Sequence, residues 1–499
     1  LSTKVVYLMH NRVSILGKST YLLGGTANLS TFSYGSFVGW ASPAILELQS
    51  DHSAIGGDAI TDEDASWIGS LMFIGFLCGT PVYSWLSDRF GRKPAALLTS
   101  IPIIVNWLII IFSETVFLIF IARFIVGISI GGILTIIPIY VGEICEIHVR
   151  GTLGTILSVL GNGGILFSYA VGAYSQYHNF AITCLALPIL FVVSFMWMPE
   201  TPIYLLSKGK YKEAKRSLKH LRGSRGPHIY EELNKMSTLL RDIQERTSDS
   251  GAIKDLLQNK GSRKALIIGV VISATQMFSG IYAMLSYNGI IFKMSGADLP
   301  PHICSIIVGG VLFVAPILSL PLMDRVGRKI LLVASLTIMT TCLTLLGVYF
   351  YLLEIGTDLS TVGYIPVVCM GIYLLCMGMG LAPINIVLFS EIFLPHVRSI
   401  SASISTFVMA ISSFIVTRFY NDLSNVAGVY GSFWFFAICC LLGTCFSIVC
   451  IPETKNRTVE SIHAELNGGE SSLLPTRNER NLNTISEQCE QEGNLSTIK

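Results

Sequence analysis

The chain has 499 residues, of which 52% are hydrophobic and 13% charged, about half the ~25% charged fraction of ordinary soluble domains. With a mean hydropathy of +0.62, this excludes a cytosolic globular enzyme and makes lipid the solvent for most of the chain. A net charge of +2 excludes a nucleic-acid partner, which asks for a strongly basic surface.

Residues 1–18 are polar and basic, and the apolar run that follows is too long for the core of a leader, so no cleavable signal peptide is expected. A spanning helix needs about 20 mostly apolar residues. That ruler predicts twelve spans, at 21–46, 66–87, 94–113, 115–140, 152–175, 179–198, 265–292, 301–322, 330–353, 361–390, 399–420 and 428–451. Cys78, Cys184, Cys342, Cys376, Cys439, Cys440 and Cys445 fall inside these runs without Cys-x-x-Cys spacing, and read as small buried hydrophobes. Between spans 6 and 7, fifteen Lys and Arg occur from Lys208 to Lys264, whereas the connection between spans 1 and 2 is acidic through Asp51, Asp58, Asp62, Glu63 and Asp64. The positive-inside rule then places both termini and 199–264 in the cytosol, with the plasma membrane as the expected location.

The domain organisation expected is a cytoplasmic N-terminus (1–20), an N-terminal six-helix bundle (21–198), a cytoplasmic helical domain (199–264), a C-terminal six-helix bundle (265–451) and a cytoplasmic tail (452–499) that reads as disordered after about 459. Within 199–264, the stretch from Ser207 to Arg222 has amphipathic helical spacing.

Three short signals recur in the same order in both halves. Asp88-Arg-Phe-Gly-Arg-Lys93 returns as Asp324-Arg-Val-Gly-Arg-Lys329, Glu143-Ile-Cys-Glu-Ile-His-Val-Arg150 as Glu391-Ile-Phe-Leu-Pro-His-Val-Arg398, and Pro199-Glu-Thr201 as Pro452-Glu-Thr454. Each copy follows the equivalent span, so the chain is a duplication of six-helix halves with the same orientation. Parallel six-span repeats are a layout of secondary transporters, with the solute near the midplane between the halves. Gly91 and Gly327 suit a tight turn. Arg92, Arg150, Arg328 and Arg398 are placed beside Glu143 and Glu391, where the planar guanidinium can hold carboxylates with two bonds. We expect Asp88, Arg92, Glu143, Arg150, Glu200, Asp324, Arg328, Glu391, Arg398 and Glu453 to form a cytoplasmic gate whose pairs join the two halves when the inner side is closed. Snorkelling and topology determination are the other reading of the same charges.

These motifs, with Arg123-Phe-x-x-Gly127 in span 4, Pro199-Glu-Thr-Pro-Ile-Tyr-Leu205 after span 6 and Pro452-Glu-Thr-Lys-x-Arg-Thr458 after span 12, resemble the sugar porter family of the major facilitator superfamily over residues 20 to 460. Within it, Gly39-Trp-Ala-Ser-Pro43, Leu160-Gly-Asn-Gly-Gly-Ile-Leu166 and Phe414-Ile-Val-Thr-Arg-Phe-Tyr-Asn-Asp-Leu423 are similar to the insect facilitated trehalose transporter group. The resemblance implies an all-α membrane protein, twelve transmembrane helices in two six-helix halves, that carries a small solute and is not an enzyme.

The chain departs from the family pattern where sugar would bind. The usual Gln-Gln-x-Ser-Gly-Ile-Asn of span 7 reads Gln276-Met277-Phe278-Ser279-Gly280-Ile281-Tyr282, and the span 10 Gly-x-Gly-Pro-x-Pro-Trp becomes Gly380-Leu-Ala-Pro383-Ile-Asn385-Ile386. An Asn of span 8 aligns with Leu312, the Asn-Trp pair of span 11 with Met409-Ala410, and a Gln of span 5 with Ser158. Each sugar hydroxyl buried without a partner costs about 1–3 kcal/mol. The candidate solute-binding residues that remain are Gln276, Asn162, Tyr282, Ser286, Tyr287, Asn288, Ser158, Asn385 and Ile386. Proton-coupled members carry an Asp at the position of Phe37, and no acid lies between Tyr21 and Leu46, so Arg123 lacks that partner and binds helix carbonyls or reaches the interface. Facilitated diffusion of a sugar or related solute is therefore expected; the alternative is a solute sensor with a transporter fold. The expected partners are a small solute and the bilayer, no metal or cofactor is called for, and oligomeric state is not encoded in any pattern we read.

Overall fold

The computed structural model describes residues 18–467 except 51–54, 56–58, 146–149, 223–225, 248–255, 257, 297–298, 360–361 and 456. Ten helical stretches among these are long and apolar enough to cross a bilayer. One of them, Pro395–Cys450, holds spans 11 and 12 together, interrupted in its backbone at Gly428 (φ 73°), so the expected connection at 421–427 is helical. Lys18–Leu48, rich in Gly, Ser and Thr, supplies span 1, which completes twelve crossings.

Local chemistry explains the boundaries. Span 2, Asp62–Phe90, opens with a capping box in which Thr61 and Asp64 bond each other's backbone N–H groups. Span 3 follows after the single residue Gly91, as Arg92–Leu98 and Ser100–Ile111. Span 4 is Val116–Ile144, span 5 Arg150–Tyr174 and span 6 Tyr177–Phe195. Span 7 is broken at Ser279 and Gly280 (φ 89°) into Lys260–Phe278 and Ile281–Met294. Spans 8 and 9 are Pro301–Val326 and Arg328–Glu354. Span 10 runs from Ile365 to Ile392 with a π-turn at Met377–Leu381 just before Pro383, a local widening of the kind found at functional sites.

With little hydrophobic drive between helices in lipid, close backbone approach holds each half together. Gly75 and Gly79 of span 2 face Gly127 and Gly131 of span 4, and a Cβ on Gly75 would lie 2.8 Å from the Cα of Gly127.

One end of the bundle, where spans 1 and 2 connect, carries Asp62, Glu63 and Asp64; we call it the acidic end. The opposite, basic end carries the helices Pro202–Ser207, Tyr211–Arg222 and Gly226–Thr247. The second of these buries Ala214, Leu218 and Leu221, as its amphipathic spacing predicts, and Arg222 donates to the Ile144 carbonyl at 2.8 Å. The tail does not lose structure at 459: Val459–Leu466 is a helix with Ile462 fully buried and the His463 ring 2.8 Å from the Ile392 carbonyl. Residues 468–499 lie outside the described residues.

Candidate solute site and gates

The three repeated signals converge into one cluster per half. In the first, Gly91 (φ 113°) turns the chain between spans 2 and 3, and Glu200 accepts the backbone N–H groups of Arg92 and Lys93, both at 3.1 Å. A carboxylate at a helix N-terminus is where the helix dipole favours it. The Arg92 guanidinium reaches Glu143 at 3.2 Å and Asp88 at 3.2 Å, and Thr201 donates to Glu143 at 2.5 Å. The second half repeats the construction. Gly327 has φ 98°, Glu453 accepts from the N–H groups of Arg328 and Lys329 at 3.0 and 3.2 Å, Arg328 reaches Glu391 at 3.0 Å, and Thr454 donates to Glu391.

The carboxyls of the two copies shift in opposite directions. Burial pushes the Glu200 carboxyl above the ordinary glutamate value, although three backbone N–H groups oppose it. Glu453 is also opposed by burial, but four N–H bonds win and hold it below that value.

In the state described, whose acidic end is closed, these pairs do not join the two halves. Between described residues, Arg92 bonds only within the first half, and the bonds of Arg328 to Met323, Glu391 and Glu453 stay within the second. Arg398 turns to the carbonyls of Ser390 and Phe393, at 2.8 and 3.2 Å, at the end of span 10. The reason is reach: Arg92 and Arg328 each follow a one-residue turn, at Gly91 and Gly327, and bond Glu143 of span 4 and Glu391 of span 10 in their own halves. Arg150 begins span 5, but its side chain and that of Asp324 lie outside the described residues.

The halves meet instead in the middle and at the acidic end. Asn162 of span 5 donates to the Leu312 carbonyl at 2.9 Å, Tyr34 and Tyr282 share a hydrogen bond at 3.0 Å, Tyr169 donates to the Leu285 carbonyl at 2.9 Å, and the Gly289 N–H donates to Ser42 at 2.9 Å. At the extreme of the acidic end, Arg418 of span 11 pairs with Glu63 of span 2 at 3.3 Å and lies 4.8 Å from the centre of the Trp67 ring, while Asn421 donates to the Asp62 carbonyl at 2.9 Å. Sequence reasoning missed this latch. The only available signal was an Arg two residues beyond the apolar run Phe414-Ile-Val416 in span 11.

Between the halves lies a cavity bordered by Tyr34, Val38, Met72, Phe73, Phe76, Ile130, Leu134, Met277, Tyr282, Met409 and Ser413. About 20 Å³ of it is open to water-sized spheres, little more than one water needs. Of the nine residues expected to bind solute, Tyr282 alone lines it. Met277 and Met409, two positions where the chain departs from the family pattern, line it as well. Gln276 and Asn385 are turned to each other, with the Asn385 amide donating to Gln276 at 2.7 Å. Asn162 is used on Leu312. Ser286, Tyr287 and Asn288 are buried, and the first two border the space beside Gly69 of span 2. Ser158 is half-buried and Ile386 is 67% exposed, away from this closed cavity.

Arg123 is fully buried. It donates to the carbonyls of Phe37 and Ile68, both at 2.9 Å, and lies 5.5 Å from the Trp40 ring centre. The carbonyl of Phe37 thus stands where the resemblance led us to look for an acid.

The family model for sugar (and other) transporters matches residues 19–466. The chain belongs to this sugar transporter family. Facilitated trehalose transporters of Bombyx mori and Polypedilum vanderplanki are 34% and 33% identical to it, over 90% of this chain and 87% and 88% of theirs. The chain spans only about half the length of the trehalose transporters of Aedes aegypti and Drosophila grimshawi, 54% and 47%. Among solved structures, the xylose transporter XylE of E. coli in a partially occluded inward-open conformation superposes with a TM-score of 0.73 at 20% identity, over 89% of this chain and all of that one. The fold is therefore the all-helical major facilitator fold, a multi-pass membrane protein of a transporter family and not an enzyme.

Proposed function

We propose that this member of the family is a facilitative carrier for a sugar, trehalose or hexose-like, or a related small polar solute, working by alternating access in the plasma membrane with both termini in the cytosol. One observation carries the reading. The polar contacts between described residues of the two halves lie in the middle and at the acidic end, while the basic-end charges are organised inside each half. Such a bundle can open at the acidic end by breaking a few contacts and leave each half intact. On this reading the acidic end faces outward and is closed in the state described.

Uncoupled transport is supported by Arg123, whose charge is met by carbonyls, and by the cavity lining, which contains no Asp or Glu. Trehalose is the first solute to test because the matched relatives carry that name. A solute must expand the 20 Å³ cavity and recruit Gln276 and Asn385 from each other, with Asn162, Ser158, Ser286, Tyr287, Asn288 and Ile386 as the further proposed contacts.

Uptake of labelled trehalose, glucose, fructose and polyols into proteoliposomes, with and without a pH gradient, tests the proposal. Saturable uptake indifferent to the gradient is expected. Accumulation above equilibrium would overturn the uncoupled mechanism. The replacement of amides by Met277 and Met409 favours a second reading, a sensor, which predicts binding with no flux.

A further inference from the structure

Spans 7, 9 and 12 and the helix Val459–Leu466 enclose a cavity at the basic end in which about 600 Å³ is open to water-sized spheres, far more than the closed centre offers. Its walls divide by chemistry. One side is apolar, with Ile267, Phe446 and Val449. Ile267 is 47% exposed and Val449 80%, and both sit in helices fit to cross a bilayer, so this wall continues into the lipid-facing surface.

The other side carries Lys264, Lys329, Glu453 and Glu465. The acids are already engaged: Glu453 accepts the N–H groups of Arg328, Lys329, Thr454 and Lys455, and Glu465 pairs with Arg457. The Lys264 ammonium donates to the Leu466 carbonyl at 2.7 Å, a neutral partner that leaves its charge unmatched. Between described residues, neither Lys264 nor Lys329 pairs with a carboxylate.

Two unmatched cations above an apolar wall, at the depth where helices leave the bilayer, suit a ligand with an anionic head and hydrocarbon chains. A soluble anion has no use for the wall, and a zwitterionic lipid has less use for the cations. We infer that this cavity holds an anionic phospholipid, its phosphate met by Lys264 and Lys329 and its acyl chains lying over Ile267 and Val449. Because the cavity joins span 7 to the first helix of the tail, the lipid bridges the second half to that helix. This holds whichever solute the protein carries.

Native mass spectrometry of the full chain in detergent tests the inference, with dioleoyl phosphatidylglycerol, dioleoyl phosphatidylcholine and inorganic phosphate as probes. Phosphatidylglycerol should be retained at least fivefold over phosphatidylcholine, the preference should vanish in K264Q/K329Q, and it should persist in K210Q/K212Q, which removes equal charge elsewhere. V449E, which adds a carboxylate to the apolar wall, should weaken retention through the other wall, and a thermal melt confirms that each variant is folded. Equal retention of the two lipids, unchanged retention in both K264Q/K329Q and V449E, or displacement by millimolar phosphate would overturn the assignment; the last would make the ligand a soluble anion.

Discussion

At the basic end Arg92 meets Glu143 and Arg328 meets Glu391 without leaving their own halves; at the acidic end Arg418 crosses to Glu63. The basic-end clusters are duplicated almost atom for atom, down to the backbone N–H groups that Glu200 and Glu453 accept. Among the described residues the acidic-end latch occurs once, without a counterpart in the repeat. Contacts that a half makes with itself are inherited by both copies when it is duplicated. Contacts between halves face two different partners, so nothing requires them to repeat. The first kind makes each half rigid, and the second sets which way the pair leans.

The comparison breaks most severely at the basic end. In Arg92→Ala, Glu143 keeps its place at 13% side-chain exposure but loses its cation, and breaking a largely buried pair from one side costs about 3 kcal/mol. We expect a marked fall in thermal stability of the purified protein and loss of most uptake, with no gain in accessibility of the acidic end. Gly91→Val is next: the positive φ and the Glu200 carboxylate lying where a Cβ would go make it cost about 1–3 kcal/mol. Gly327→Val should be milder, because its Cβ would stand 2.8 Å from the Glu453 oxygen, farther off than at Gly91. Equal losses in the two melts would show that the copies bear strain alike.

Arg418→Ala should leave the melt nearly unchanged and shift the balance between states. Glu63 is 70% exposed, so the ion pair itself contributes little, and the stacked Trp67 contributes about 0.5–1 kcal/mol more. A three- to tenfold rise in labelling of a cysteine at Ser286 by an impermeant maleimide is expected. An unchanged labelling rate would remove Arg418 from the gate. Smaller still is Gln276→Ala, which leaves the Asn385 amide only its longer bond to Ser273 at 3.4 Å and should weaken solute binding about fivefold; unchanged affinity would take Gln276 out of the site.

The same distinction accounts for what could be read from the residues beforehand. The twelve crossings and the Arg92, Glu143 and Glu200 grouping were legible because apolar length and repetition are local or duplicated signals, whereas the break at Gly280 lies inside a stretch that reads as one continuous span. Arg418 and Glu63 are 355 positions apart, and neither the motif that contains Arg418 nor the acidic connection that contains Glu63 points to the other. The helix Val459–Leu466 was hidden because its polar composition resembles the rest of the tail; the burial of Ile462 and the bond of His463 to the Ile392 carbonyl of span 10 emerge only in the fold. The turning of Gln276 toward Asn385 depends on how spans 7 and 10 pack in the closed state, which neither segment encodes alone.

The finest test compares Glu200 with Glu453, where one motif's carboxyl is shifted in opposite directions. Glu200 is raised by burial, so its folded form takes up a proton at a higher pH than the unfolded chain. The cost of keeping it charged is present at neutral pH and disappears as pH falls toward the ordinary glutamate value of about 4.3. Glu453 is lowered by its N–H bonds, so it stabilises the fold above that value and loses the contribution only as pH falls through its own lower one. On acidification from neutral, the Glu200 cap on span 3 should therefore protonate first, without unfolding the protein, while the Glu453 cap on span 9 persists. Infrared difference spectra should show a protonated-carboxyl band that Glu200→Gln removes and Glu453→Gln leaves in place. If the band followed Glu453 instead, the deeper burial of the first copy would not be what separates the two.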